Sequence, residues 1–420
     1  MATIVMKFGG TSVADIECIR HAARHVRREY EAGNRVCVVV SAMAGATNQL
    51  VAWCREAAPL HDAREYDAVV ASGEQVTAGL MAIVLSDLGI SARSFAGWQV
   101  PIRTSEAHGA ARITDIDPAL LNERMDQGVV CVITGFQGIA DSGRITTLGR
   151  GGSDTSAVAV AAAVKAERCD IYTDVDGVYT ADPRITPRAR RLEKISFEEM
   201  LESASLGAKV LMTRSVELAM AQKVRLLVRS TFDNPEAEQL APDGGPGVPG
   251  TLVCDEEEIM EKQIVSGITI AKGEAKITLR GVKDKPGVAA AVFGILAEEN
   301  IIVDMIVQNI TDDGATTDIT FTVPDAEYER ASRVLQGATG KFELEELSGS
   351  RGGAKISVVG VGMRSHAGVA AQMFKALADK GINIQLITTS EIKTSVLIDE
   401  AYAELAVRAL HTYYGLDQEA

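Results

Sequence analysis

The chain is poor in cysteine and in positive charge, and it lacks several common functional signatures. Six cysteines stand at positions 18, 37, 54, 131, 169 and 254, with no CxxC pair among them. Neither a cysteine-built zinc site nor a disulfide framework is therefore indicated. Asp and Glu (57) outnumber Lys and Arg (42), a formal net charge of −15. So acidic a chain is not expected to bind nucleic acid or an anionic membrane, and any anionic small molecule must be met by locally concentrated Lys and Arg. No apolar run reaches transmembrane length. The N-terminus carries no signal-peptide pattern, so a cytoplasmic protein is expected. No GxxxxGK[ST] occurs, which removes the Walker phosphate loop. A formal GxGxxG, Gly245 to Gly250, is filled with prolines and follows no strand, so no dinucleotide is expected there. With 420 residues, 46% of them hydrophobic, the chain can build two or three cored domains.

The most informative stretch runs from Leu148 to Val164. It begins Leu148-Gly149-Arg150-Gly151-Gly152-Ser153-Asp154-Thr155-Ser156 and continues as a run of Ala and Val. The first part reads as a loop and the second as a helix, with Asp154 or Thr155 expected to cap it. Three glycines let a ligand approach the backbone closely. A helix N-terminus exposes N–H groups that suit an anion, and Arg150 adds a cationic fork that fits a carboxylate or phosphate. Ala157 to Val164 is apolar on all sides, as a buried helix reads.

Other motifs point the same way. Ile4-Val5-Met6-Lys7-Phe8 is an apolar strand carrying a lysine, followed by Gly9-Gly10-Thr11-Ser12 and a helix from about Asp15 to Ala32. A lysine inside an apolar strand is costly without a partner, and strand, Gly-Gly turn and helix together make a phosphate cradle with Lys7 at its edge. His21 and His25 are spaced to share a metal, but Arg20, Arg24, Arg27 and Arg28 surround them and would repel a cation, so a solvated face is expected. Val36 to Val40 reads as a buried parallel strand that delivers Ser41, with Thr47 in the loop beyond. Ligands of open α/β sheets collect at such strand ends. Ser72-Gly73-Glu74 opens a helix to Leu88. Glu74 is either a first-turn acid favoured by the helix dipole or a partner for an ammonium group. Val129 to Thr134 is another buried-type strand. The aspartates of Cys169 to Arg184 lack EF-hand spacing.

Residues 1 to about 232 alternate strand and helix, which argues a parallel sheet covered on both faces. The C-terminal third contains a repeat. Lys276-Ile277-Thr278-Leu279-Arg280-Gly281-Val282 resembles Lys355-Ile356-Ser357-Val358-Val359-Gly360-Val361, and Gly287 to Phe293 resembles Gly368 to Phe374. Each copy follows the β-α-β-β-α-β order of ferredoxin-like modules. The second ends on its last helix, about Ala401 to Tyr414, without a fourth strand. Ile264 to Ala271, unassigned before the first copy, is expected to complete it, because an open sheet edge is a liability. The expected divisions are 1–245, a linker 246–263, a first module 264–348 and a second module 349–420.

Three segments carry a resemblance that spans nearly the whole chain. Lys7-Phe8-Gly9-Gly10-Thr11-Ser12, the Thr147-to-Asp154 loop, and Thr173-Asp174-Val175-Asp176-Gly177-Val178-Tyr179-Thr180-Ala181-Asp182-Pro183-Arg184 resemble the signatures of aspartate kinase, and the two repeats resemble its paired ACT domains. The resemblance implies a three-layer, mostly parallel α/β amino-acid-kinase domain followed by two ACT modules. It implies phosphorylation of the β-carboxylate of L-aspartate by ATP with Mg2+, the first step toward lysine, threonine and methionine. By the same resemblance Lys7, Gly9, Gly10, Thr173, Asp174, Tyr179, Arg184 and Lys209 would hold the nucleotide. Ser41, Thr47, Glu74, Arg150, Ser153 and Asp154 would line the aspartate site, with Lys7, Arg150 and Asp154 catalytic. Asp284, Gly287, Ala289, Gln308, Asn383 and Ile384 would form a threonine-type effector pocket, and Asp304, Thr311 and Ser390 would lie near a lysine-type one. A homodimer or larger assembly through the ACT modules is implied; whether a shorter regulatory subunit starts internally, for instance at Met260, is left open by the sequence. No fused homoserine dehydrogenase is expected, the chain ending at Ala420. The second module departs from the pattern, with Ala367 where the family commonly has proline, as at Pro286 in the first. Kinases of the same fold acting on acetylglutamate, glutamate or UMP are the alternatives disfavoured by the paired modules and the Arg150 loop. A catalytically dead amino-acid sensor is disfavoured by intact Lys7, Arg150 and Asp174.

Overall fold

Runs of Val, Ile and Met, such as Ile4–Met6 and Val36–Val40, are what strands buried on both faces require, and all of those residues are at most 2% exposed. The computed structural model describes residues 1–206, 210–236, 249–259, 264–311 and 314–418. The chain divides into two units. Met1–Val178, Arg191–Ala204 and Lys209–Glu261 form the first, and Tyr179–Arg190, Ser205–Ala208 and Lys262–Ala420 the second.

In chain order the strands of the first unit are β1 (Thr3–Phe8), β2 (Arg35–Val40), β3 (Ala92–Phe95), β4 (Ile102–Thr104), β5 (Ile113–Ile116) and β6 (Val130–Thr134). Then come β7 (Gln137–Ala140), β8 (Ile145–Thr147), β9 (Arg168–Thr173), β10 (Lys194–Ser196), β11 (Leu226–Ser230) and β12 (Thr251–Cys254). The helices are α1 (Ile16–Glu31), α2 (Ala46–Ala57), α3 (Ala63–Val70), α4 (Ser72–Asp87), α5 (Ala119–Asp126), α6 (Gly152–Ala163), α7 (Phe197–Ser205) and α8 (Thr213–Gln222). One sheet runs β10-β12-β11-β9-β1-β2-β6-β3, and β5-β4-β7-β8 form a smaller one. From β11 to β3 all neighbours are parallel, whereas β12 is antiparallel to β11. Side chains alternate across a strand. Ile4 and Met6 pack with α1 and α4, while Val5 packs with α6 and α8 on the opposite face. The three-layer α/β architecture follows from that alternation.

Several expectations change here. Thr251–Cys254, inside the expected linker, is a buried strand of the main sheet; its short apolar run is masked in sequence by flanking Pro, Gly and acidic residues. α6 is preceded by Gly151 rather than capped by Asp154 or Thr155, which lie in its first turn. α3 and α4 abut, and Ala63–Asp87 is long and apolar enough to pass for a membrane span by length and composition, contrary to expectation. Half of that stretch's apolar window is buried, and α4 lies against β2, β3 and β6, which accounts for its apolarity. His25 is not on a solvated face. It is fully buried, its Nε2 is 2.9 Å from Thr231 O, and burial pulls its pKa down to about 3. Among the described residues no group of three or more His, Cys, Asp or Glu could hold a metal.

The second unit has β13 (Gly267–Lys283), β14 (Asp304–Ile310), β15 (Thr316–Pro324), β16 (Glu346–Val359), β17 (Leu386–Thr389) and β18 (Lys393–Asp399). Its helices are α9 (Val288–Glu298), α10 (Tyr328–Gly337), α11 (Val369–Ala378) and α12 (Ala403–Tyr413). The two repeats do not make two separate sheets. They share one, in the order β14-β15-β13-β16-β18-β17. The stretch expected to complete the second repeat is continuous with the first strand of the first. Gly267–Lys272 pairs with Ala354–Val359 of the second repeat, and Lys276–Arg280 pairs with Glu346–Ser350 of the first, with register shifts around Glu274 between them. Tyr179–Arg190, which the expected 1–245 domain included, packs here: Ala181 joins the second repeat's core, Thr180 Oγ1 is 2.9 Å from His411 Nε2, and Arg190 Nε donates to Leu416 O.

Candidate active site

Parallel strands β1, β2 and β6 end on one side of the sheet, and the loops beyond them meet the start of α6. Lys7 sits on the α6 face of β1 by strand alternation, 8% exposed, with its Nζ 2.5 Å from Asp154 Oδ1. The lone lysine in an apolar strand thus has its compensating charge, supplied from the first turn of α6. Gly151 makes that turn possible. Its φ is +73°, and a Cβ there would stand 2.3 Å from Met212 Cγ. Gly9 clears space for the lysine, since a Cβ on it would lie 3.3 Å from Lys7 Nζ.

A cavity of about 360 Å³ opens between these loops. Lys7, Gly10, Ser41, Thr47, Glu74, Arg150, Ser153 and Asp154 line it, so all six aspartate-site candidates converge on one space with Lys7 and Gly10. Glu74 lies in the first turn of α4 and lines this cavity. It is 3% exposed, its Oε1 accepts from Ala42 N–H at 3.1 Å, and its Oε2 is buried without a hydrogen-bond partner. Burial pushes its carboxyl up to about 7, the Ala42 hydrogen bond opposing the rise. A buried acid with one free oxygen facing a cavity is suited to an ammonium.

The reading missed Phe136, Met43, Ala44 and Asn48, which also line the cavity. Phe136 is a non-glycine residue at φ +67°, a backbone conformation that collects at functional sites; its place just beyond a buried strand was the available signal. Of the nucleotide candidates, Gly9 adjoins the cavity, and Thr173 and Asp174 stand at the end of β9 joined by a 3.1 Å hydrogen bond. Tyr179 and Arg184 belong to the second unit, where Arg184 is exposed and paired with Asp182 at 2.7 Å. Lys209 and Met260 lie outside the described residues.

The effector candidates lie in the second unit. Asp284 precedes α9, Gly287 is its N-cap, and Ala289 is in its first turn. Gln308 and Asp304 are on β14, and the Thr311 hydroxyl donates to Thr316 O at 2.8 Å. Asn383, Ile384 and Ser390 flank β17. Asp304 is already paired, its carboxylate meeting the ammonium of Lys355, itself 6% exposed. β14 and β17, at opposite ends of the sheet order, lie against each other.

A parallel α/β sheet with a lysine strand, a glycine loop and a buried acid at one set of strand ends defines a phosphotransferase-type site. Residues 2–230 match the amino acid kinase family, and residues 277–338 and 356–414 match the ACT domain. The chain is 53% identical to the aspartate kinase of Pseudomonas putida over 421 residues, covering 100% of this chain and 99% of that one. It is 45% identical to the aspartokinase of Corynebacterium glutamicum, covering 100% and 97%. Among solved structures, Escherichia coli aspartokinase III in complex with aspartate and ADP matches with a TM-score of 0.76 at 28% identity, covering 98% of this chain and 99% of that one. The same enzyme in complex with lysine and aspartate matches equally. The chain belongs to the aspartate kinases.

Proposed function

We propose that this enzyme transfers the γ-phosphoryl group of ATP to the β-carboxylate of L-aspartate, giving 4-phospho-L-aspartate and ADP, and that amino-acid end products inhibit it through the ACT modules. The observation that carries the reading is the convergence of Arg150, Glu74 and the Lys7–Asp154 pair on one cavity. Arg150 takes a substrate carboxylate on its fork, and Glu74 takes the α-ammonium. A β-carboxylate oxygen then attacks the γ-phosphorus as the bond from that phosphorus to the β,γ-bridging oxygen breaks. The nucleophile is already ionised at neutral pH, so the step needs no base, and positioning and charge neutralisation carry the catalysis.

Lys7 stands beside Gly9-Gly10, where the γ-phosphoryl oxygens would gather charge, and Asp154 holds its ammonium in place. A Mg2+ ion would be carried in on the nucleotide phosphates, where it would neutralise charge on the transferring group. Support comes from the Escherichia coli enzyme, captured with aspartate and ADP and, separately, with lysine and aspartate. Thr173 and Asp174, at the end of β9, would hold the nucleotide. The effector candidates of the ACT modules would bind lysine or threonine across a homodimer. The product would feed lysine, threonine and methionine synthesis. A coupled ADP-release assay with L-aspartate, acetylglutamate and glutamate, each with and without lysine plus threonine, tests the proposal. Turnover with aspartate alone, reduced by the effectors, is expected. Turnover with another acceptor instead would refute the substrate, and indifference to both effectors would refute the regulation.

A further inference from the structure

Beneath the loop that carries Arg150 lies a carboxylate the proposed reaction does not use. Asp67, on α3, is fully buried. The Thr147 hydroxyl donates to its Oδ1 at 2.5 Å, His108 Nδ1 lies 2.7 Å from its Oδ2, and the Gly109 N–H is shared between both oxygens at 3.1 Å. All of these groups frame the glycine loop. Thr147 ends β8, one residue before Leu148. The chain at His108 and Gly109 returns to the same spot, where the Ala111 N–H donates to Thr147 O at 2.9 Å. Gly109 O lies 3.1 Å from where a Cβ on Gly149 would stand, and Gly149 has φ +76°. On the far side, Arg214 Nη1 donates to Leu148 O at 2.8 Å.

A buried carboxylate with no Lys or Arg partner is costly even when its hydrogen bonds are made. Apolar residues of similar volume often pack such a place at no loss of stability. The donors it gathers give it another role. We propose that Asp67 is a positioning residue: by holding Thr147, His108 and Gly109 together it fixes the base of the glycine loop and so the direction in which Arg150 presents its guanidinium to the substrate carboxylate. The inference rests on the aspartate-kinase reading of the cavity.

Three full-length variants test it. Thr147→Val removes the hydroxyl and keeps the shape, Thr147→Ser keeps the hydroxyl, and Asp67→Asn removes the charge. Thr147→Val and Asp67→Asn are expected to raise the aspartate KM about tenfold, because small misplacement of a substrate-orienting group is costly. The ATP KM should stay within about twofold, and Thr147→Ser should restore wild-type behaviour. Backbone hydrogen exchange over residues 148–153 should quicken several-fold in the Val and Asn variants and not in the Ser variant, with α1 unchanged. An unchanged aspartate KM accompanied only by a fall in kcat, or unchanged exchange in the loop, overturns the positioning role. If the wild-type protein releases no ADP with aspartate, the substrate reading fails and loop exchange alone decides the role of Asp67.

Discussion

Replacing Glu74 with glutamine should make the protein more stable while damaging its use of aspartate, and the gain should depend on pH. Burial raises the Glu74 carboxyl from an ordinary 4.5 to about 7. Between those values the folded state keeps a proton that the unfolded state has released, so stability falls as pH rises through this window. At about 1.4 kcal/mol per pKa unit the full cost is about 3 kcal/mol, present above pH 7 and absent below pH 4.5. Glu74→Gln is neutral in both states, and its amide oxygen can still accept from Ala42 N–H. Its advantage over wild type should therefore grow from near zero at pH 4.5 to about 3 kcal/mol at pH 8, or roughly 6–12 °C in the melting temperature of the first unit. Loss of the charged partner for the substrate ammonium should cost about 1.5–3 kcal/mol, which is on the order of a ten- to hundredfold fall in kcat/KM for aspartate. In wild type, kcat/KM for aspartate should rise toward pH 7 and then level off as Glu74 ionises; the variant should lack that limb. The measurements are thermal unfolding without ligand at pH 5 and pH 8 and initial rates across the same range. A stability difference that is the same at both pH values would refute the account of Glu74 as a buried, proton-retaining acid.

Four further outcomes are expected. Lys7→Ala should lower kcat about a hundredfold, as removal of a charge-stabilising donor does, with little change in aspartate KM; near-normal kcat in the folded variant counts against it. Arg150→Lys, which loses the planar fork, should raise the aspartate KM far more than the ATP KM in initial-rate kinetics, and equal effects would move Arg150 to the nucleotide side. Ala289→Thr should relieve inhibition by amino-acid effectors without altering uninhibited turnover, and Ala367→Pro should tighten it if anything; inhibition curves with lysine, threonine and both decide, coupling of about 1–3 kcal/mol being usual.

What could be read from sequence was what lies close together along the chain. Lys7 with Gly9-Gly10, and Arg150 with Ser153 and Asp154, are local groupings whose chemistry is visible without the fold. Glu74 was ambiguous because its meaning depends on α4 packing so closely on the loop after β2 that a Cβ on Gly73 would stand 2.8 Å from Ala42 Cβ. Asp67 was silent because a helical aspartate looks solvated until Thr147 and His108 come down upon it. The pairing of Ile264 to Ala271 with the second repeat was legible because that repeat lacks a closing strand; that β13 and β16 each run unbroken through both repeats was not, since Gly273 and Gly352-Gly353 sit at irregularities inside these two continuous strands. His25 was misread because the arginines around it mask a helix face that also carries Ile19, Ala22 and Val26 into the core.

The proposed reaction asks so acidic a chain to receive two anionic substrates. Two cations, Lys7 and Arg150, and two acids, Glu74 and Asp154, face one cavity, so the chain does not meet its substrates with a large surplus of positive charge. It has one cation already held in place. Lys7 is buried and held by Asp154 at 2.5 Å before any ligand arrives. Orienting a charge in advance removes the reorganisation that would otherwise fall within the reaction barrier. Glu74 completes the arrangement in the opposite sense: a carboxylate kept partly protonated at neutral pH by burial is destabilised until an ammonium group reaches it. Under the proposed reaction, binding of the amino group would relieve that cost, which would favour an α-amino acid over a plain dicarboxylate that brings its own negative charge.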